Sequence, residues 1–122
     1  MITVLIIEDD LEIRKIYKRI FKDFFNISAD TAGSGKKGLL LFTSASYSLV
    51  ILDIHLPDAN GLDLLEEIKK IDPSTKVVII TGDSPSKNKK IAIEKGADDF
   101  LCKPLKINEM IGVINKNIKD LI

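Results

Sequence analysis

The alternation of short apolar segments with amphipathic segments is the feature that most constrains the fold of this 122-residue chain. Five apolar runs rich in β-branched residues recur along it, and several lack the polar alternation of a half-exposed strand. Between these runs, apolar residues recur every three or four positions, which is the period of an amphipathic helix. The predicted strands span residues 3–7, 27–31, 49–52, 76–80 and 98–102.

The predicted helices follow the strands one by one, and several of their ends carry specific signals. Asp10 is placed as the N-cap of the first helix, whose apolar stripe over 11–24 is expected to be core. The third helix is expected to end before Pro73, and Gly96 is placed to cap the fourth. Repeated strand–helix order predicts an α/β fold, with a parallel sheet between two layers of helices.

Charge and composition exclude several classes of function. Lys and Arg number 18, as do Asp and Glu, so there is no basic excess for nucleic acid or a membrane surface. Cys102 is the single cysteine, which favours a reducing compartment and excludes an internal disulfide. The apolar runs are too short to span a bilayer, and the acidic residues at 8–10 come too early for a signal peptide. We therefore expect a cytoplasmic domain.

Polar residues stand where four of the five predicted strands end. Glu8 and Asp9 follow the first strand, and Asp53 follows the third. Thr81 follows the fourth strand, and Lys103 follows the fifth. The carboxyl ends of parallel strands meet at one edge of the sheet, where ligands bind in open α/β folds, so we expect these side chains to converge.

The converging residue types indicate a metal-assisted phosphoryl site. Carboxylates this close would repel one another, and a hard divalent cation such as Mg²⁺ would relieve the repulsion. A lysine and a hydroxyl then remain available for phosphoryl oxygens.

Four motifs give the chain a resemblance to a known family. They are "IIEDD" after the first strand, "VILDIHLPDANG" around Asp53, "VVIITG" before Thr81 and "GADDFLCKPL" around Lys103. In this order and spacing, the chain resembles the receiver (CheY-like) domain of two-component response regulators over essentially its whole length. The resemblance implies a flavodoxin-like, doubly wound five-stranded sheet of order 2-1-3-4-5. It also implies one receiver domain over 1–122, either a stand-alone regulator or part of a larger protein.

The resemblance assigns a role to each residue at the predicted site. Asp53 is expected to accept a phosphoryl group from the phosphohistidine of a histidine kinase, or from a phosphotransfer protein, giving an acyl phosphate. Mg²⁺ is expected to be held by Asp9 directly, by Glu8 through water, by Asp53 and by the backbone carbonyl of His55. Thr81 and Lys103 are expected to contact phosphoryl oxygens, and the Lys103–Pro104 bond is expected to be cis.

The resemblance also implies how the site would signal. Thr81 is expected to move toward the phosphoryl group and Phe100 to rotate inward, which changes the surface of the fourth helix, fifth strand and fifth helix. His55 and Asp83 are expected to tune the rate of self-dephosphorylation. The Asp98–Asp99 pair recurs in receivers that dimerise through this surface, so a phosphorylation-dependent homodimer is a further expectation. A downstream effector is the expected output partner.

Three other functions compete with a switch that turns over no external substrate. A haloacid dehalogenase-type hydrolase also uses an aspartate nucleophile with Mg²⁺, but that family needs a second aspartate where this chain has His55. A pseudo-receiver would bind partners without phosphorylation, and retention of all five site residues argues against it. A flavodoxin-like flavin binder is disfavoured, because acidic side chains would repel the cofactor phosphate without a metal.

Overall fold

The computed structural model describes residues 1–82 and 85–122. Over these residues, strands and helices alternate, as the sequence pattern predicts. The strands are β1 (Val4–Ile7), β2 (Asp30–Ala32), β3 (Leu49–Asp53), β4 (Lys76–Thr81) and β5 (Asp99–Cys102). The helices are α1 (Leu11–Phe25), α2 (Gly35–Ser44), α3 (Gly61–Ile71), α4 (Pro85–Glu94) and α5 (Ile107–Leu121).

The strands form one parallel sheet in the order β2-β1-β3-β4-β5, which confirms the predicted topology. Successive side chains of a strand point to opposite faces, so the sheet separates two apolar cores. Leu5 and Ile7 of β1 belong to the core beneath α2 and α3, whereas Val4 and Ile6 belong to the core beneath α1 and α5. The molecule is therefore the expected three-layer α/β/α sandwich.

The prediction for the second strand, residues 27–31, is wrong at both ends, because β2 spans Asp30–Ala32. Asn26 adopts a left-handed conformation with φ 54° and closes α1. The Ile27 amide then donates to the Phe21 carbonyl at 3.1 Å, so this residue completes the end of the helix. Its apolar side chain packs against the core beside α1. Ile27 is thus apolar because it packs there.

The predicted helix caps at Asp10 and Gly96 are both confirmed. The Asp10 carboxylate accepts hydrogen bonds from the amides of Glu12 and Ile13 at 2.9 and 3.1 Å. Gly96 adopts φ 105°, and the following amide of Ala97 donates back into the last turn of α4 at 2.9 Å. Glycine suits this position because a Cβ would strain the left-handed backbone.

The apolar stripe of α1 is wider than the face that the helix buries, which corrects the expectation that the whole stripe is core. Tyr17 and Phe21 are buried against the sheet. Leu11, Ile16 and Phe24 keep 51%, 53% and 58% of their surface exposed. Each helix among the described residues lacks the length or the apolar composition that a membrane span requires.

Candidate acidic phosphoryl site

The register of the sheet brings the predicted site residues to one edge. Asp53 is the last residue of β3 and pairs with Ile80, directly before Thr81 at the end of β4. Thr81 pairs in turn with Cys102 of β5, and its carbonyl accepts a hydrogen bond from the Lys103 amide at 2.7 Å. Thr81 is fully buried, and Asp53 is 5% exposed. The strand ends therefore converge as the sequence predicts.

Lys103 connects two buried carboxylates at this edge. Its Nζ lies 2.9 Å from Glu8 Oε1 and 3.0 Å from Asp53 Oδ2. The Lys103–Pro104 peptide bond is cis, as expected. The ammonium group thus partly compensates the negative charge that the sheet edge gathers.

The second oxygen of Asp53 is held by the backbone that follows β3. The His55 amide donates to Asp53 Oδ1 at 3.1 Å, so both carboxylate oxygens have a donor. Gly61, the first residue of α3, packs directly on this turn. A Cβ at this glycine would overlap the Asp53 carbonyl oxygen and lie 2.6 Å from Ile54 Cα. The absence of a side chain therefore lets α3 begin against the end of β3.

Three carboxylates meet the donor requirements of a divalent cation. Ligand oxygens of Glu8, Asp9 and Asp53 lie within 4.8 Å of one another. Carboxylate oxygens are the donors that Mg²⁺ prefers. Glu8 and Asp53 are buried and Asp9 is exposed, and the three carboxylates with one ammonium group carry an excess of negative charge. The residues present therefore fit Mg²⁺, which would be held by these three side chains.

The electrostatics of the site follow from burial and from the shared ammonium. Burial raises the pKa of Glu8 to about 7, the Lys103 hydrogen bond opposes this rise, and the neighbouring carboxylate of Asp53 adds to it. Burial alone would lower the pKa of the Lys103 ammonium, but its bonds to Glu8 and Asp53 outweigh that effect and raise the pKa. Burial also raises the pKa of the nearby Tyr17 phenol to about 12. A proton on Glu8 and a cation thus compete for the same carboxylate.

The other predicted residues that the structure describes, Phe100 and His55, differ in burial. Phe100 is partly buried in β5 and packs against the core beneath α2 and α3. The His55 side chain is exposed. Asp83, the second predicted tuning residue, lies outside the described residues.

The acidic pair considered for a dimer interface is engaged within the chain. Asp98 Oδ2 lies 2.8 Å from Lys69 Nζ and accepts the Val77 amide at 2.8 Å. Asp99 Oδ2 lies 3.4 Å from Lys116 Nζ on α5. In this conformation, the carboxylates connect β5 to α3, β4 and α5.

Two residues that fix the loops at the ends of strands were not identified from the sequence. Arg14 on α1 donates to the carbonyl oxygen of Glu8 at 2.8 Å. Asp58, in the turn before α3, accepts the amides of Gly35 and Lys36 at 2.8 and 2.9 Å and so caps α2. These amide donors lower the pKa of the Asp58 carboxyl. Its partners lie more than twenty positions away, so no local pattern in the sequence points to this contact.

Comparison with known proteins identifies the family. The profile of the response regulator receiver domain matches residues 4–115. The response regulator ArlR of Staphylococcus haemolyticus (strain JCSC1435) is 33% identical over 114 residues, which are 93% of this chain and 51% of that protein. This chain therefore spans about half the length of the curated relatives it matches.

Solved structures agree with this assignment. A CheY-like receiver domain protein from Methanospirillum hungatei JF-1 superimposes with a TM-score of 0.92 at 28% identity, covering 98% of this chain and 95% of that one. The receiver domain of the Francisella response regulator 1452 gives 0.91 at 30% identity, with complete coverage of both chains. The chain belongs to the response regulator receiver domain family, whose members are signalling switches of two-component systems.

Proposed function

We propose that the chain is a phosphorylation-dependent switch in which Asp53 accepts a phosphoryl group from a phosphohistidine, with Mg²⁺ bound beside it. The main support is that Lys103 reaches Asp53 and Glu8 together, at 3.0 and 2.9 Å, while the Asp9 carboxylate lies in the same group. A candidate nucleophile, a candidate cation site and a positive charge thus share one edge of the sheet. These are the parts that phosphoryl transfer requires.

The proposed reaction uses the orientation of Asp53. One carboxylate oxygen attacks phosphorus, the bond from phosphorus to the histidine nitrogen breaks, and that nitrogen keeps the electron pair. The His55 amide and the Lys103 ammonium orient the nucleophile, because each holds one of its oxygens. Bound Mg²⁺ would supply charge neutralisation for the phosphoryl oxygens. After transfer, Lys103 exchanges its carboxylate contact for a phosphoryl oxygen, since the acyl oxygen has lost its charge.

The proposed switch connects the site to β5. The Thr81 hydroxyl is expected to hydrogen-bond a phosphoryl oxygen, and its movement leaves space on the β4 edge. Ile79 and Phe100 are register partners, so β4 carries this displacement to the neighbouring strand. Phe100 then turns inward, and the surface of α4, β5 and α5 changes. Such coupling is typically worth about 1–3 kcal/mol.

The proposed partners follow from the class of protein. Response regulators act with histidine kinases and effector domains. We expect a histidine kinase or phosphotransfer protein as donor, an effector as output, and a cytoplasmic receiver unit over residues 1–122. A phosphorylation-dependent homodimer through α4, β5 and α5 would require the contacts of Asp98 and Asp99 to rearrange, because both residues are now paired within the chain.

The decisive experiment is incubation with acetyl phosphate and Mg²⁺, followed by intact-mass spectrometry at acidic pH. A single phosphoryl adduct is expected for the native chain and for Asp120→Asn, which replaces an exposed aspartate of α5. Asp53→Asn removes the nucleophile and should give no adduct. An adduct of equal yield on Asp53→Asn, or none on the native chain, would refute the proposal. Repeated turnover of an ordinary phosphate ester would favour a hydrolase.

The tuning role of His55 and Asp83 is tested on the same adduct. Each lies two positions past a site residue, so its side chain is expected to border the path of the hydrolytic water. Replacing both with alanine should change the rate at which the adduct disappears after the donor is removed. An unchanged rate in the double variant would exclude the role.

A further inference from the structure

Arg14 reaches back from α1 to the loop that carries the acidic pair. Its Nη1 donates to the Glu8 carbonyl oxygen at 2.8 Å and approaches the Asp9 carbonyl oxygen at 3.4 Å. Arg14 is partly buried. Both bonds end on backbone carbonyl oxygens, and neither ends on a carboxylate. One side chain therefore restrains the backbone of both acidic residues that follow β1.

A glycine in the neighbouring loop makes room for this contact. A Cβ on Gly33 would lie 2.6 Å from Arg14 Nη1 and 3.3 Å from Cζ. The crowded atoms are the far end of a flexible side chain, so an alanine at this position would move the guanidinium group and leave the fold largely intact. Gly33 and Arg14 thus act as a pair, although Gly33 lies in the loop after β2 and Arg14 lies on α1.

The two acidic residues depend on this restraint to different degrees. The Glu8 carboxylate is buried and fixed by Lys103 at 2.9 Å. Asp9 is exposed, and the backbone that carries its side chain is what Arg14 contacts, at 3.4 Å from the carbonyl oxygen. A ligand fixed in advance costs less ordering on binding, and groups that orient metal ligands affect affinity strongly.

We infer that Arg14 is a positioning residue that sets the Mg²⁺ affinity of the acidic site, and that Gly33 allows it to do so. This inference rests on the proposed function. Arg14 acts through the carbonyl groups of Glu8 and Asp9, without contacting the ion or the phosphoryl group. A lysine at position 14 retains the positive charge but lacks the planar guanidinium group with its fixed donors. The lysine variant therefore separates the effect of the charge from the effect of the hydrogen-bond geometry.

The test is isothermal titration of the whole chain with Mg²⁺. Arg14→Ala should weaken binding by about tenfold, with Arg14→Lys intermediate. Gly33→Ala should weaken binding by several-fold although Arg14 is present. Arg19→Ala is the matched control, because Arg19 lies on the exposed side of α1 and pairs only with Asp23 at 3.3 Å among the described contacts. Its Mg²⁺ affinity should equal that of the native chain.

A second readout separates positioning from general damage. At saturating Mg²⁺, the Arg14 and Gly33 variants should take up phosphoryl groups from acetyl phosphate at nearly the native rate, because the nucleophile and Lys103 are unchanged. Dissociation constants within about twofold of native in both Gly33→Ala and Arg14→Lys would overturn the inference, as would an equal loss in Arg19→Ala. If the native chain is phosphorylated and binds Mg²⁺, such a result removes only this inference. If the native chain binds no Mg²⁺, the proposed function fails as well.

Discussion

Lys103 Nζ lies 3.0 Å from Asp53 Oδ2, so two residues 50 positions apart form an ion pair at the edge of the sheet. The same nitrogen lies 2.9 Å from Glu8 Oε1. Because both carboxylates are buried, the fold concentrates negative charge that a single ammonium group does not balance. The predictions on Lys103 and Glu8 follow from this imbalance.

Replacing Lys103 with methionine should destabilise the domain in Mg²⁺-free buffer at pH 8. The substitution leaves two buried carboxylates without their cation, and the ammonium is partly solvated, so we expect a loss of about 2 kcal/mol. Urea unfolding gives the free energy directly. The loss should shrink when saturating Mg²⁺ is added, whereas Lys106→Met, a matched change at an exposed lysine, should have little effect. A Lys103 variant as stable as the native chain at pH 8 would contradict this account.

The affinity for Mg²⁺ should fall as pH decreases through about 7. Burial raises the pKa of Glu8 from 4.5 to about 7, so protonated Glu8 accumulates in the metal-free folded state below this pH. The ion binds the ionised form, and each bound proton must therefore be released. Affinity should be nearly constant above pH 8 and weaken by up to about tenfold for each pH unit below 7.

Calorimetry in two buffers with different ionisation enthalpies measures this proton release. The native chain should release a fraction of a proton near pH 7 and almost none at pH 8.5. Glu8→Gln has no titrating carboxyl at this position, so its affinity should be lower and its pH dependence flatter. Identical pH profiles for the two proteins would show that Glu8 is not the competing group.

The parallel sheet and its converging edge could be predicted because they depend on patterns that are local in sequence, whereas the strand order came from the resemblance to receiver domains. Continuous apolar runs marked the strands, and the polar residue that ended each run placed Asp53, Thr81 and Lys103 together. The predicted bounds of the second strand were wrong for a physical reason. Ile27 is apolar because it packs beside α1 after a left-handed turn, and apolar character alone does not distinguish that packing from a place in the sheet.

Three contacts that stabilise the fold could not be predicted, because their partners are distant in sequence or are backbone atoms. Asp58 caps α2 through amides more than twenty positions away. Arg14 binds carbonyl groups, which every residue possesses, so no pattern of residue types in the sequence predicts this contact. Asp98 belongs to an acidic pair that suggested an interface, yet it accepts the Val77 amide within the chain.

Gly61→Ala should destabilise the domain and impair the site together. A Cβ here would overlap the Asp53 carbonyl and crowd Ile54 Cα at 2.6 Å, and backbone atoms cannot yield as a side-chain tip can. Overpacking of this kind costs about 1–3 kcal/mol, and α3 can relieve it only by moving the end of β3. Thermal unfolding and acetyl phosphate labelling measure the two effects. Gly112→Ala, an exposed position on α5 with open space, is the control and should be neutral or slightly stabilising.

Gly38→Ala should also destabilise the domain, but a second substitution in the core should restore part of the lost stability. A Cβ at this position of α2 would lie 2.5 Å from Ile7 Cδ1 and 2.9 Å from Cγ1. Better helix propensity contributes about 1 kcal/mol in favour of alanine, and steric conflict with a rigid β-branched side chain opposes it. Combining the change with Ile7→Val removes the Cδ1 atom, so the double variant should be more stable than the sum of the single effects. Strict additivity in the urea unfolding free energies would exclude the contact as the cause.

Thr81→Ala should separate phosphorylation from its conformational effect. The threonine is fully buried at the end of β4, and alanine removes the hydroxyl proposed to bond a phosphoryl oxygen while leaving Asp53 intact. The adduct should therefore still form, about tenfold to a hundredfold more slowly, because one donor to the transferring group is lost. Hydrogen exchange of the β5 amides should change on phosphorylation in the native chain and in Thr81→Ser, but much less in Thr81→Ala. Equal changes in all three proteins would mean that Phe100 responds to the phosphoryl group by another route.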